Sequence, residues 1–518
     1  MRTTEDLYEL IQSLSKTEKG YFKKYSGLHV RGQANNYILL FNAIEKQKES
    51  RSSRDPSHGG YDEKALVKKF KNQAFTRNFA VAKNFLYNKV LHAMNQYHHS
   101  IHSEVRELLH RAEFLVEKGL NKQSLKAVMQ AKEIAKQNDM HWALLEIYKQ
   151  WENALMIRQS DLQWRQKLMQ EETDLLADVE NEKIYRDLYS RLGIHYATHG
   201  ITRDKGALQK LESIIQNKNL KDISLAKTFK SKLLFYDLYT GYFIQAADFV
   251  KAYQYAKEII HLFSRHPEKI KSDTLSYIEG LNDAITTCLA SKRYEDMPAY
   301  LEKLEGLELL AKSQPQTIKI KLFDSRSYNK LNYYTTCGIF REAIPEVTRI
   351  SKEIPLYLNF LSNFEKLVLF SHLAIFYFGT KDYQQSIFWL NRIRNEVSLS
   401  HNLQIESFHR LFYLIVHYEA GHDEIIPSLV QSLYRFLRKK ERLYKFEILV
   451  IDFLRKLSPA NDAEKLNEAF KKLHTRIQPL LKDLYEKNAF HYFDYMSWLE
   501  SKTGNKSFAE IVREKSGV

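Results

Sequence analysis

Residues 377–394 read YFGTKDYQQSIFWLNRIR. A polar break from Gly379 to Asp382 divides two apolar runs, and small residues flank it, Ala374 ahead of the break and Ser386 twelve positions later. One amphipathic helix accounts for the apolar rhythm but for neither the break nor the small residues. Two antiparallel helices account for both, because helices approach closely only where small side chains face each other and large apolar residues fill the grooves beside them. Tyr383, Leu390 and Ile393 supply that filling. The break then reads as the turn of a helix hairpin.

The spacing recurs. GIFREAIPEVTRI (338–350) places Phe340 and Ala343 after Gly338, and DFVKAYQYAKEII (248–260) places Phe249 and Ala252 after a polar Asp248. In LHRAEFLVEKGLNKQSLKAVMQAKEI (109–134) the break is Gly119, again with small residues twelve apart, Ala112 and Ser124. SKRYEDMPAYLEKL (291–304) keeps the frame with Tyr294 but carries Met297 in the small position. A hairpin leaves one face apolar and must bury it on a neighbour, so several in series share a continuous core.

These units resemble tetratricopeptide repeats, helix-turn-helix units of about 34 residues with small, glycine and large residues at fixed positions. The 367–394 unit matches with Phe370, Ala374, Tyr377, Tyr383, Ser386 and Leu390, and the 105–135 unit with Leu108, Ala112, Leu115, Gly119, Ser124, Val128 and Ala131. The repeats are degenerate: the usual terminal proline is missing from both units, Ile393 and Leu331 stand where small residues belong, and the spacing between units is irregular. The resemblance implies an all-α fold, a right-handed α-α superhelix over residues 101–450, with a separate basic helical domain at 1–100 and a helical cap at 451–518. It also implies a concave surface for a peptide or protein partner. Carried over position by position, that surface holds Glu113, Glu117, Asp237, Gln245, Tyr328, Asn332 and Thr336. The alternative architecture is a generic helical bundle in which Ala and Ser happen to fall at hairpin contacts.

Composition agrees with helices. A chain of 518 residues exceeds one ordinary core. Hydrophobic residues at 44% with charged residues at 27% fit a folded chain, and only 17 Gly and 9 Pro disfavour turn-dense sandwiches and barrels. Cys288 and Cys337 are too few for a disulfide framework or a thiolate metal site and read as buried thiols in a reducing cytoplasm. The N-terminal MRTTEDLYELIQSLSKTEKG carries acids and no apolar signal core. LVLFSHLAIFYF (367–378) is shorter than the roughly 20 residues of a membrane span and reads as a buried helix, so a cytoplasmic chain without membrane insertion is expected.

About half of the net charge of +15 falls in residues 1–100, which hold 17 Lys and Arg against 9 Asp and Glu. There, Ser15 and Glu18 have capping-box spacing, Asp62 reads as an N-cap, and two helices separated by NQAFTRN have the size of a helix-turn-helix. Lys68, Lys69, Arg77 and Lys83 would give it a basic surface able to meet nucleic acid; a cap for the repeats is the competing reading. At the other end, Phe490, Tyr492, Phe493, Tyr495 and Trp498 read as one helix packed on the last hairpin.

Chemistry is sparse. No phosphate-binding glycine loop, nucleophile elbow or H-E-x-x-H occurs. His98 and His102 stand four apart, where two imidazoles can share a metal on one helix, but no acid accompanies them except Glu104, and a solvated face is the expected reading. Acidic pairs such as Glu171 and Glu172 read as surface charges among lysines. The expectation is a non-enzymatic scaffold for a protein or peptide, with no cofactor and no metal; the alternative is a regulator whose N-terminal helices bind DNA.

Overall fold

Left-handed backbone recurs at helix ends. Gly119, Ala247, Lys292, Gly338, Lys381 and Gly421 all have φ between 57° and 73°. After each, the next N–H donates to the carbonyl five residues back: Leu120 to Leu115, Asp248 to Phe243, Arg293 to Cys288, Ile339 to Tyr334, Asp382 to Tyr377 and His422 to His417, all at 2.8–3.0 Å. This closure satisfies helix carbonyls that would otherwise lack donors and reverses the chain. Seven residues before and five after each left-handed residue stand the pairs Ala112/Ser124, Thr240/Ala252, Ile285/Met297, Leu331/Ala343, Ala374/Ser386 and Leu414/Ile426, none more than 6% exposed. In the two pairs with serine, the hydroxyl donates across the crossing, Ser124 to the Ala112 carbonyl at 2.9 Å and Ser386 to the Ala374 carbonyl at 2.8 Å.

The computed structural model of the protein describes residues 3–27, 36–47, 61–98, 100–155, 162–202, 204–312, 314–397, 403–440, 444–456, 463–483 and 485–517. Among them no strand occurs, so the fold is all-α. The chain divides into two compact units, Met1–Leu175 and Leu176–Val518. The division falls inside one long helix, whereas the sequence suggested boundaries near 100 and 450.

Unit 1 holds α1 (Thr3–Ser13), α2 (Lys16–Gly27), α3 (Asn36–Glu45), α4 (Glu63–Lys69), α5 (Phe79–Tyr97), α6 (Ile101–Glu117), α7 (Asn121–Gln137), α8 (His141–Leu155) and the start of α9 (Leu162–His199). Ser15 and Glu18 form the expected reciprocal cap, with the Ser15 N–H donating to Glu18 at 2.6 Å, and Asp62 caps α4 through the Ala65 N–H. Ile11, Phe22, Phe41, Ile44, Leu86 and Val90 make one core from α1, α2, α3 and α5. Lys83 departs from its expected place on a basic surface. It is 2% exposed, donates to Glu63 at 2.5 Å and lies against the Tyr61 and Phe79 rings. Glu171 is likewise more than a surface charge: Lys132, itself buried, and Tyr148 donate to it at 2.5 and 2.7 Å, tying α9 to α7 and α8. These donors hold the Glu171 carboxyl down at about 2 against the cost of its burial.

Unit 2 continues α9 and adds α10 (Lys205–Ile215), α11 (Phe229–Gln245), α12 (Phe249–Arg265), α13 (Pro267–Ser272), α14 (Thr274–Ala290), α15 (Met297–Lys312), α16 (Gln316–Cys337) and α17 (Ile344–Tyr357). There follow α18 (Asn363–Gly379), α19 (Tyr383–Glu396), α20 (Leu403–Glu419), α21 (Ile426–Lys439), α22 (Lys445–Lys456), α23 (Ala463–Ile477), α24 (Tyr495–Thr503) and α25 (Phe508–Ser516). Hairpins pack in chain order: α12 against both α11 and α14, α14 against α16, α16 against α18, and α19 against both α18 and α20. LVLFSHLAIFYF lies within α18, and among the described residues no helix is long and apolar enough to cross a membrane. Cys288 and Cys337 are buried, their thiols pushed up to about 12 chiefly by that burial.

The C-terminal aromatics do not form one helix on the last hairpin. Phe490 and Tyr492 precede α24, and the segment returns across the turn ends of several hairpins. Asn488 donates to the Thr202 carbonyl, and the His491 ring stands 4.7 Å from that of Phe249. Phe493 meets Phe378 and Phe412, and Trp498 donates to Glu419 at 2.8 Å. Helix α25 then seats on Gly338, where an added Cβ would lie 2.6 Å from the Arg513 nitrogen.

The opening stretch now divides into two roles. Lys381, not Gly379, takes the left-handed turn, and Gly379 ends α18 where the Phe340 ring leaves no room for a Cβ, which would lie 2.1 Å from that ring. Gly379→Ala is therefore expected to cost about 1–3 kcal/mol through overpacking. Lys381→Gly is expected to gain up to about 1 kcal/mol by removing left-handed strain. Urea unfolding followed by circular dichroism checks both signs.

Candidate functional site: a polar wall on unit 2

Polar groups on five helices of unit 2 make up one stripe. The stripe holds Tyr189 and Tyr196 on α9, Asp237 on α11, Asp283 and Thr286 on α14, Asp324, Tyr328, Asn332 and Thr336 on α16, and His372 on α18. Spacings of three, four and seven residues keep such groups on one helix face while apolar neighbours enter the core. Behind the wall, Asn282 donates to the Ser325 hydroxyl at 2.8 Å, and the buried Asn329 donates to Asn282 at 2.6 Å and to the Ser325 carbonyl at 2.8 Å. These bonds lock the register of α14 against α16.

Tyr328 is the centre of the constellation. Its hydroxyl lies 3.1 Å from that of Thr286, and its ring meets the His372 imidazole edge-on with centroids 5.2 Å apart. Tyr196, Asp283 and Asp324 are close enough to act on the Tyr328 hydroxyl electrostatically, and burial first of all pushes that phenol up to about 12. Asp283 also bears on Tyr196 and Asp237, so helices α9, α11, α14 and α16 face one space here.

The three aspartates in this space have no cation in direct contact, although Lys321 and Lys230 act on them from further off. Lys321 stands between Glu279 at 3.7 Å and Glu365 at 3.8 Å, and Lys230 pairs with Asp273 at 3.3 Å. Among the described residues the side-chain carboxyls of Asp237, Asp283 and Asp324 have no hydrogen bond and no ion pair within 4 Å, and Asp324 is only 9% exposed. Lost hydration pushes Asp283 and Asp324 up to about 7, with Glu279 and Glu365 adding to it and Lys321 opposing, and raises Asp237 well above the usual carboxylate range. Burial lowers His372 to about 4, so its imidazole is neutral near pH 7, and its Nδ1 has no partner.

Of the residues expected from the sequence, Asp237, Tyr328, Asn332 and Thr336 lie on this wall, the last two joined by a hydroxyl donated to the Asn332 oxygen at 3.3 Å. Gln245 does not. It is 3% exposed, donates to the Leu192 carbonyl at 3.2 Å and meets His195 Nδ1 at 2.7 Å, an interior bridge from α11 to α9. Glu113 and Glu117 are exposed on α6 of unit 1, where Gln150 donates to Glu113 at 2.7 Å. Asp283, Asp324, Tyr196 and His372 escaped the sequence reading. Their signal was a polar residue one turn from a wall position inside an apolar helix, as Asp324 is from Tyr328. Of the basic set, Lys68, Lys69 and Arg77 are exposed on or just after α4, while Lys83 is interior. His98 and His102 do not share a helix, since His98 caps the end of α5 beside Glu18 and His102 opens α6. Among the described residues no group of three His, Cys, Asp or Glu is placed to hold a metal ion.

The chain matches no family profile, no curated protein and no solved structure.

The raised carboxyls carry a stability signature. An unfolded Asp loses its proton near pH 3.9, whereas Asp283 and Asp324 keep theirs up to about 7 when folded. Between those limits the folded state binds more protons, so stability falls as pH rises through this window and levels above it. The double variant Asp283→Asn, Asp324→Asn removes this loss. Its Tm is expected to match wild type near pH 4 and to exceed it by at least about 2 °C at pH 8, which thermal melts across that range measure.

Proposed function

We propose that unit 2 is a tetratricopeptide-like, right-handed superhelix whose polar wall binds an extended or helical peptide of a partner protein, and that the protein is a non-enzymatic scaffold acting in the cytoplasm. The observation that carries this reading is the wall itself. Hairpins of one shared frame bring polar, half-buried groups from successive helices to one side, with hydrogen-bonding capacity left unspent. A surface of repeated, modest contacts suits a peptide better than a small substrate, for which a closed pocket with convergent polar groups is the usual site. Tyr328, Asn332 and Thr336 repeat every four residues along α16 and supply one row of such contacts.

A random-peptide library displayed on phage tests the reading. The full chain is expected to enrich a defined motif, and the triple variant Tyr328→Ala, Asn332→Ala, Thr336→Ala is expected to bind that motif at least tenfold more weakly with its helical signal intact. Absence of any enriched motif refutes the peptide reading.

A second reading, DNA contact by the N-terminal helices, is supported by the exposed Lys68, Lys69 and Arg77 within one short stretch. If it holds, neutralising the three flattens the salt dependence of duplex binding by about one per lost phosphate contact. Filter binding from 50 to 200 mM salt decides, and binding too weak to measure near 150 mM is the expected result.

A further inference from the structure

We propose that the peptide taken by this wall is basic, and that a lysine or arginine side chain of it docks beside Tyr328, between the Asp283 and Asp324 carboxylates. The inference rests on the peptide-binding reading above and adds the chemistry of the ligand.

Three observations carry it. The first is an unmet need for positive charge: Asp324 is 9% exposed and its carboxyl, like that of Asp283, has no hydrogen bond and no ion pair within 4 Å among the described residues. A carboxylate withdrawn from water without a cation is costly, and a fold that keeps two of them beside one tyrosine is completed by a cation from outside. The chain's own candidate, Lys321, pairs with Glu279 and Glu365 and reaches Asp283 and Asp324 only from further off, so one lysine is shared among four carboxyls.

The second is the aromatic lining. Tyr196 and Tyr328 stand beside the acids, and ring faces attract guanidinium and ammonium groups, most strongly where water is partly excluded. The same lining adds nothing for an anion, which the carboxylates repel. The third is an unpartnered nitrogen beside the Tyr328 ring. His372 Nδ1 is buried with no partner, and as an acceptor it takes one of the donors that a guanidinium or ammonium brings.

The surroundings sharpen the argument. The chain carries a net charge of +15, so a basic peptide is repelled by the molecule as a whole and is held only where acids are concentrated. A metal ion is a poorer fit than an organic cation, since no three ligating groups converge among the described residues.

Fluorescein-labelled hexa-arginine is the probe, titrated by anisotropy into the full chain, with hexaglutamate as the opposite-charge control and spermine as a competitor. Hexa-arginine is expected to bind and hexaglutamate not to. Asp283→Asn, Asp324→Asn is expected to weaken hexa-arginine at least tenfold. Glu113→Gln, Glu117→Gln removes the same charge from the exposed face of α6 and is expected to change it less than twofold. Equal losses in both double variants, or no loss in the first, overturn the proposal. So does spermine displacing the probe as well as unlabelled hexa-arginine does, because the ligand is then a free polyamine. If the phage library instead enriches a neutral or acidic motif that needs Tyr328, Asn332 and Thr336, the peptide reading stands and the basic assignment falls; if it enriches nothing, both fall.

Discussion

A left-handed residue, seven positions after one crossing side chain and five before the other, sets where the two helices of each hairpin meet. The backbone makes this geometry, through a carbonyl satisfied from beyond the helix end, and so it survives changes of side chain. Glycine, alanine and lysine all occupy the left-handed position, and the crossing pair ranges from Ala374 and Ser386 to Ile285 and Met297. What varies is how closely the helices approach. In the two pairs with serine the hydroxyl bonds the opposite carbonyl, and where the pair is large, side chains fill the gap. The polar wall depends on this constancy, because a shift of one residue at a turn would rotate the first helix by about 100° and carry Tyr328 or Asp283 into the core.

The return of the C-terminal segment follows from the same turns. The hairpin ends at Ala247, Lys292, Gly338, Lys381 and Gly421 of unit 2 present aromatic and backbone groups, and an aromatic-rich segment covers them. Phe493 and Phe508 stack at 5.4 Å and both meet Phe378, while Phe340 packs against Phe508 as well. Arg513 pairs with Glu342 at 2.5 Å beside the Gly338 turn. Aromatic pairs contribute beyond their buried area, so this segment joins hairpins far apart in sequence and limits their movement against one another.

Electrostatics separates the wall from the rest of the protein. Two buried lysines elsewhere are matched, Lys83 by Glu63 and Lys132 by Glu171. Breaking such a pair by removing one partner leaves a bare charge inside, an expensive change. On the wall the carboxyls of Asp237, Asp283 and Asp324 have no such match. Groups held in unfavourable surroundings concentrate where a protein binds or reacts, and the contrast within one chain gives that rule its force here.

The helical class, the hairpins and their turn-centred frame were legible in the sequence, because they rest on local matters: few glycines and prolines, apolar periodicity, and small residues twelve apart around a polar break. The pairs Ala112/Ser124 and Ala374/Ser386 meet as their spacing demands. Other features came only with the tertiary structure. Lys83 and Gln245 looked like surface groups and are interior, since a polar residue one step around a helix faces the core or water depending on a neighbour far away in sequence. The return of the last residues to Gly338, and the meeting of Asp283, Asp324, Tyr196 and His372 around Tyr328, depend on how helices from residue 176 onward stack. A sequence states how each helix divides its faces, but the charge that a carboxyl meets is set by the helices packed beside it, and those are chosen by the fold as a whole.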